Sequence, residues 1–120
     1  MRRRDFIKSS LTAAAATAAF QTVASRAIAG SVLKVGVMIP LSGPAGLFGP
    51  ASKNVSQMAA DDINAAGGIL GRQVEIIFGD AGLPPAEAAQ TALRLWRGEG
   101  CEAFIGMHDS AVRGALINVF

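Results

Sequence analysis

Apolar and polar positions change period several times between residues 31 and 120. LKVGVMIP (33–40) is a nearly unbroken apolar run closed by Pro40. A short, Val-rich run of this kind predicts a strand buried on both faces, as in parallel sheets. A loop of Ser, Gly and Pro follows over 42–50, and Pro50 suits the first turn of a helix. The period then becomes helical. Val55, Met58, Ala59, Asp62 and Ile63 share one face, apolar except for Asp62, which predicts the inward face. Gly67 and Gly68 stop the helix.

The same alternation recurs twice more. QVEIIFGD (73–80) reads as a second strand, punctuated by Gly82 and Pro84-Pro85. PAEAAQTALRLWRGEG (85–100) reads as a helix with Ala88, Thr91, Ala92 and Leu95 along one face, ended by Gly98 and Gly100. CEAFIG (101–106) is a third short buried strand beginning at Cys101, MHDS is a loop, and AVRGALINVF starts a third helix. Helical connections of this length demand parallel strands and right-handed crossovers. The predicted class is therefore α/β, an open doubly wound parallel sheet. In such sheets ligands bind beyond the carboxyl ends of the strands, here the loops 40–50, 80–84 and 106–110. Three αβ units bury a modest share of their surface and leave sheet edges open. The expectation is the front of a larger protein, the chain stopping inside its third helix.

Charge separates the first thirty residues from the rest. They carry Arg2, Arg3, Arg4, Lys8 and Arg26 against Asp5, whereas residues 31–120 have an excess of acidic groups. The formal net charge of +2 thus comes from the N-terminal segment and gives no ground for a nucleic-acid partner. A cationic start, the small apolar stretch 11–24, and Ala27-Ile28-Ala29 before Gly30 follow the order of a secretory signal peptide. Arg3-Arg4-Asp5-Phe6-Ile7-Lys8 is similar to the twin-arginine export motif. The stretch is too short for a membrane anchor. Residues 1–29 are therefore expected to be a leader and the periplasm the destination.

Hydrophobic types make up 51% and charged types 17% of the chain, which excludes a disordered tail. Cys101 is the only cysteine and His108 the only histidine, too few for thiol-protease or zinc chemistry. Gly43, Gly46 and Gly49 lie between a strand and a helix, but their spacing fits neither dinucleotide nor Walker loops, and no Lys-Ser/Thr pair follows. His108, Asp109 and Ser110 are consecutive, so their side chains diverge and form no catalytic triad. No metal, cofactor or covalent chemistry is expected. The candidate binding residues are loop residues. Ser42 either bonds a ligand or caps a turn. Phe48 either covers a ligand or covers the core. His108 reads as a polar residue lining the cleft. Ser110, with the free N–H groups of the third helix, is placed to hold a carboxylate or amide oxygen, or to act as that helix's N-cap.

KVGVMIPLSGPAGLFG, then ADDINAAGGILGRQVEIIFGD, then FIGMHDSAVRGAL, together resemble the start of a type I periplasmic binding protein. The resemblance covers 33–120 and points to the leucine/isoleucine/valine-binding and amide/urea-binding receptors of ABC transporters. DINAAGGILGRQVE is its most specific stretch, supported by the LSGP loop. Amide and urea receptors carry a characteristic loop after the third strand. Gly106, Ser110, Arg113 and Ala115 match it, while Met107 and His108 replace its cysteine and aromatic.

The resemblance implies a non-enzymatic receptor that traps a small polar solute between two hinged lobes. That solute is a branched-chain amino acid, a short amide or urea, passed to a membrane permease. It implies Ser110 as a ligand-binding hydroxyl, Phe48 as an aromatic over the solute, and cleft positions for Ser42, His108 and Asp109. An amide sensor of the same fold and a non-functional truncated product are the alternatives.

Overall fold

The computed structural model describes residues 31–106 and 109–120. The expected leader, 1–29, and two residues of the third-strand loop, Met107 and His108, lie outside them. The described elements are β1 (Leu33–Ile39), a 3-10 helix (Gly46–Phe48), α1 (Gly49–Ala65), β2 (Val74–Asp80), α2 (Pro85–Arg97), β3 (Ala103–Gly106) and α3 (Ser110–Ile117). The strands form one parallel sheet in the order β2-β1-β3. Leu33 pairs with Val74 and Ile39 with Asp80, while Val35 pairs with Ala103. The alternation of parallel strands and helices expected from the sequence is therefore present.

Two apolar layers sandwich β1. Met38 faces Ala88, Ala92 and Leu95 of α2 and Val112 and Leu116 of α3, with Cys101 beside them. Val35, Val37 and Ile39 face the opposite way, among Val74, Ile76 and Phe78. Because successive side chains of a strand alternate sides, a continuous apolar run serves both layers at once. Helix α2 uses the predicted face: Ala88, Ala92 and Leu95 are buried and Thr91 half-buried. Its small alanines let it lie close to the strands.

Helix α1 corrects an expectation. Val55 and Met58 are each 60% exposed, whereas Ala60 is 2% exposed. The inward line runs instead through Gly49, Ser56, Ala60 and Asn64. Asn64 explains the rotation. Its amide donates to the Val74 carbonyl at 2.9 Å and its oxygen accepts the Val74 N–H at 2.7 Å. This reciprocal pair ties the end of α1 to the start of β2 and fixes which side turns inward. Val55, Ala59 and Ile63 then border an open apolar groove of about 270 Å³ against Val35, Val37 and Ile76. Gly68, in the left-handed region at φ 78°, donates its N–H to the Ile63 carbonyl and stops the helix as predicted.

One smaller difference concerns the start of β3. β3 begins at Ala103, so Cys101 precedes the strand, buried, with its N–H on the Leu95 carbonyl. Helix α2 ends at Arg97 with Gly98 as its C-cap, so the expected glycine stop is present. Helix α3 runs from Ser110 to Ile117. Beyond it Phe120 stacks against Phe104 and meets Trp96 edge-on. At the amino ends of the strands, Arg72 bonds the carbonyls of Ser31 and Val32 and the carboxylate of Glu102. The amino and carboxyl ends of the strands are thus held by different devices.

Candidate functional site

All three strands point their carboxyl ends at one edge, and the loops that leave them converge there. A cavity of about 330 Å³ opens between them, bordered by Ser42 and Pro44 after β1, Gly82 and Leu83 after β2, and Asp109 and Ala111 at the start of α3. This is the edge at which open α/β sheets bind ligands.

Asp80, the last residue of β2, organises two of these loops. Its Oδ1 accepts the N–H groups of Leu41 at 2.9 Å, Ser42 at 3.3 Å and Gly82 at 2.7 Å. The bond to Gly82 makes a local turn of the kind that Asp forms with the N–H two residues on. The other bonds reach across to the neighbouring loop. Desolvation pushes the Asp80 carboxyl up, but the Ser42 hydroxyl and the three N–H groups outweigh it, leaving it below the usual carboxylate range. The loops touch closely where they cross. A Cβ on Gly82 would stand 2.1 Å from the Ser42 carbonyl oxygen, and Gly43 needs φ +69° to pass Gly82. Glycine is required at this crossing because two backbones meet.

Asp109 caps α3. Its Oδ1 accepts the N–H groups of Ala111 at 2.7 Å and Val112 at 3.0 Å. This corrects the expectation that Ser110 is the cap, because Ser110 is already the first helical residue. It also corrects the expectation that these helix N–H groups are available to a ligand. A carboxylate within the chain already occupies the two of them that Asp109 reaches.

The five candidate residues therefore divide. Ser42 and Asp109 border one cavity. Ser110 is exposed beside it, at the helix start. Phe48 ends the 3-10 helix, 57% exposed, and does not border the cavity. His108 lies outside the described residues. The residue the sequence reading missed is Asp80. Its signal was present: an aspartate at a strand end with glycine two residues on is the pattern of a side chain bonding its own turn. Among the described residues no three His, Cys, Asp or Glu side chains form a metal-binding group.

A parallel sheet of order β2-β1-β3, helices on both faces and a loop-walled cavity at the carboxyl edge define part of an open α/β sheet domain. Comparison with known proteins identifies the family. Residues 32–120 match the family described as periplasmic binding protein, and the chain belongs to it. It is similar to the Leu/Ile/Val-binding protein BraC3 of Rhizobium johnstonii, 34% identical over 80 residues, covering 67% of this chain and 22% of that protein. It is similar to Leu/Ile/Val-binding protein homolog 8 of Brucella abortus, 38% identical over 79 residues, covering 66% of this chain and 19% of that one. Among solved structures it resembles the branched-chain amino acid transporter substrate-binding protein LivJ of Streptococcus pneumoniae, in complex with isoleucine. The TM-score is 0.67 at 32% identity, covering 74% of this chain and 26% of that one. The chain spans about a fifth of the length of these curated relatives. The family is a solute-binding receptor fold, not an enzyme family.

Proposed function

We propose that this chain is part of an extracytoplasmic receptor that captures a branched-chain amino acid and delivers it to an ABC importer in the inner membrane. The observation that carries this reading is the cavity at the carboxyl edge of the sheet, walled by the loops of all three αβ units. The Leu/Ile/Val-binding relatives supply the ligand class. Ser110 contributes its hydroxyl to the solute's carboxylate from the rim, and Phe48, exposed on the 3-10 helix, lies over its apolar part when a second lobe closes. His108 belongs to the same rim. Residues 1–29 act as a twin-arginine leader and 30–120 as the folded part of the lobe, which places the receptor in the periplasm. No cofactor takes part.

A second reading, a short amide or urea as solute, is favoured by Gly106, Ser110, Arg113 and Ala115, which match the amide-receptor loop. Isothermal titration of the complete protein with L-leucine, L-isoleucine, L-valine, acetamide and urea separates the two. Binding of the amino acids, weakened by Phe48→Ala and Ser110→Ala without loss of melting temperature, is the expected result. Binding of acetamide or urea alone replaces the first reading with the second. Failure of all five removes both.

A further inference from the structure

The cavity at the carboxyl edge is uneven in charge. Among the described residues that border it, Asp109 is the only one with an ionisable side chain. A second carboxylate stands close, since Asp80 holds the N–H groups of Ser42 and Gly82, which are both bordering residues. No described Lys or Arg borders the cavity. Arg113 borders a different pocket with Phe104 and Phe120, and Lys53 lies over the Phe78 ring in the opposite apolar layer.

A helix start ordinarily attracts anions, and α3 begins at this wall. Its dipole amounts to about +0.5 of an elementary charge. Asp109 brings a full negative charge to the same point and takes the N–H groups of Ala111 and Val112. The sum is negative, so a wall suited to draw an anion repels one instead. Charge acts through space, so this repulsion depends on where Asp109 stands more than on which of its oxygens faces the solute.

We propose that Asp109 sets the charge selectivity of the cleft, which admits solutes that are neutral, zwitterionic or cationic overall and rejects those with a net negative charge. A zwitterionic amino acid and a neutral amide both pass this filter, and a carboxylic acid without an amino group does not. The solute class rests on the receptor reading, whereas the sign of the cavity does not.

That sign is measured without any solute. Ala45 borders the cavity, and the native Cys101 is buried. In the complete protein carrying Ala45→Cys, the rates of reaction with a trimethylammonium-ethyl and a sulfonato-ethyl methanethiosulfonate report the local potential, with wild type as the blank. Relative to 2-mercaptoethanol, the new thiol should favour the cationic reagent over the anionic one. Asp109→Asn and Asp109→Ser remove the charge and keep a capping side chain. Each should lower the cation-to-anion rate ratio about fivefold, the scale of one unit charge acting across a few ångströms of water on probes of opposite sign. A ratio equal to that of 2-mercaptoethanol, or one that neither variant moves, overturns the proposal.

The solute arm holds the skeleton nearly constant and varies the charge. Isothermal titration compares L-leucine, 4-methylpentanoate and 3-methylbutylamine, and then acetamide, acetate and acetamidinium for the amide reading. The anion of the set that binds should be the weakest, and Asp109→Asn should narrow its gap from the cation about fivefold. An anion preferred by wild type, or a gap that Asp109→Asn leaves unchanged, overturns the selectivity. If none of the six binds, the receptor reading fails, and the methanethiosulfonate rates still decide the sign of the cavity.

Discussion

Arg72 meets Glu102 fork to fork at the amino edge of the sheet, with Nη1 3.0 Å from Oε2 and Nη2 against Oε1. Paired N–H···O bonds of this type fix geometry as well as charge. Arg72 also holds the Ser31 and Val32 carbonyls, so the guanidinium joins the segment before β1 to the segment before β3. The Arg72 hydrogen bond holds the Glu102 carboxyl below the ordinary glutamate range. A carboxyl depressed by folding contributes stability above its unfolded pKa and loses it as pH falls through the folded value. Arg72→Ala should lower the melting temperature by a few degrees at neutral pH. The gap from wild type should close on acidification below the ordinary glutamate range. Thermal denaturation of both proteins across that window checks it.

Gly82→Ala should destabilise by about 1–3 kcal/mol, the usual cost of inserting a methyl group where there is no space. The added carbon meets the Ser42 carbonyl oxygen, part of the backbone, and has no flexible neighbour to displace. Urea unfolding gives the loss. Amide shifts confined to residues 41–44 and 80–83 would locate it.

Leu95→Ala should cost about 2–5 kcal/mol, because the vacated space lies in the layer shared by Met38, Ala92 and Leu116. Small domains hold only about 5–15 kcal/mol in total. A large fall in the urea midpoint is expected. In native protein the buried Cys101 thiol, raised by desolvation, should resist alkylation, and Leu95→Ala should expose it.

Asp109→Ala should cost about 0.5–2 kcal/mol through loss of the cap, and Asp109→Asn much less. Hydrogen exchange should speed at Ala111 and Val112, the two N–H groups it serves, with little change in α2. A uniform increase across the chain would contradict a local cap.

The strands and their parallel arrangement were legible because one signal served several purposes. LKVGVMI has no polar interruption after Lys34, which only a strand covered on both sides accommodates. Ala88, Ala92 and Leu95 recur at helical spacing against it. The line of α1 packed tightest on the sheet was not legible from hydrophobicity, because a polar residue sets it: Asn64 bonds the Val74 backbone, and Val55 is left at the open apolar groove. At the cleft, the convergence of loops followed from topology, and so did the positions of Ser42 and Asp109. The division of labour between Asp109 and Ser110 did not, since either side chain suits a helix start and only the backbone decides which is the cap. Asp80 was overlooked for a related reason. Its partners are backbone N–H groups, which every sequence supplies and none advertises.

The central place of β1 also bears on how the chain comes together in time. Leu33 waits for Val74, and Val35 for Ala103, before its hydrogen bonds are complete. The most apolar segment is thus made first and satisfied last. Pairings that close such long loops are slow, and an unpaired apolar strand is prone to join another chain in the interval. During synthesis the central strand is therefore the molecule's most vulnerable part, although in the finished sheet it is the best protected.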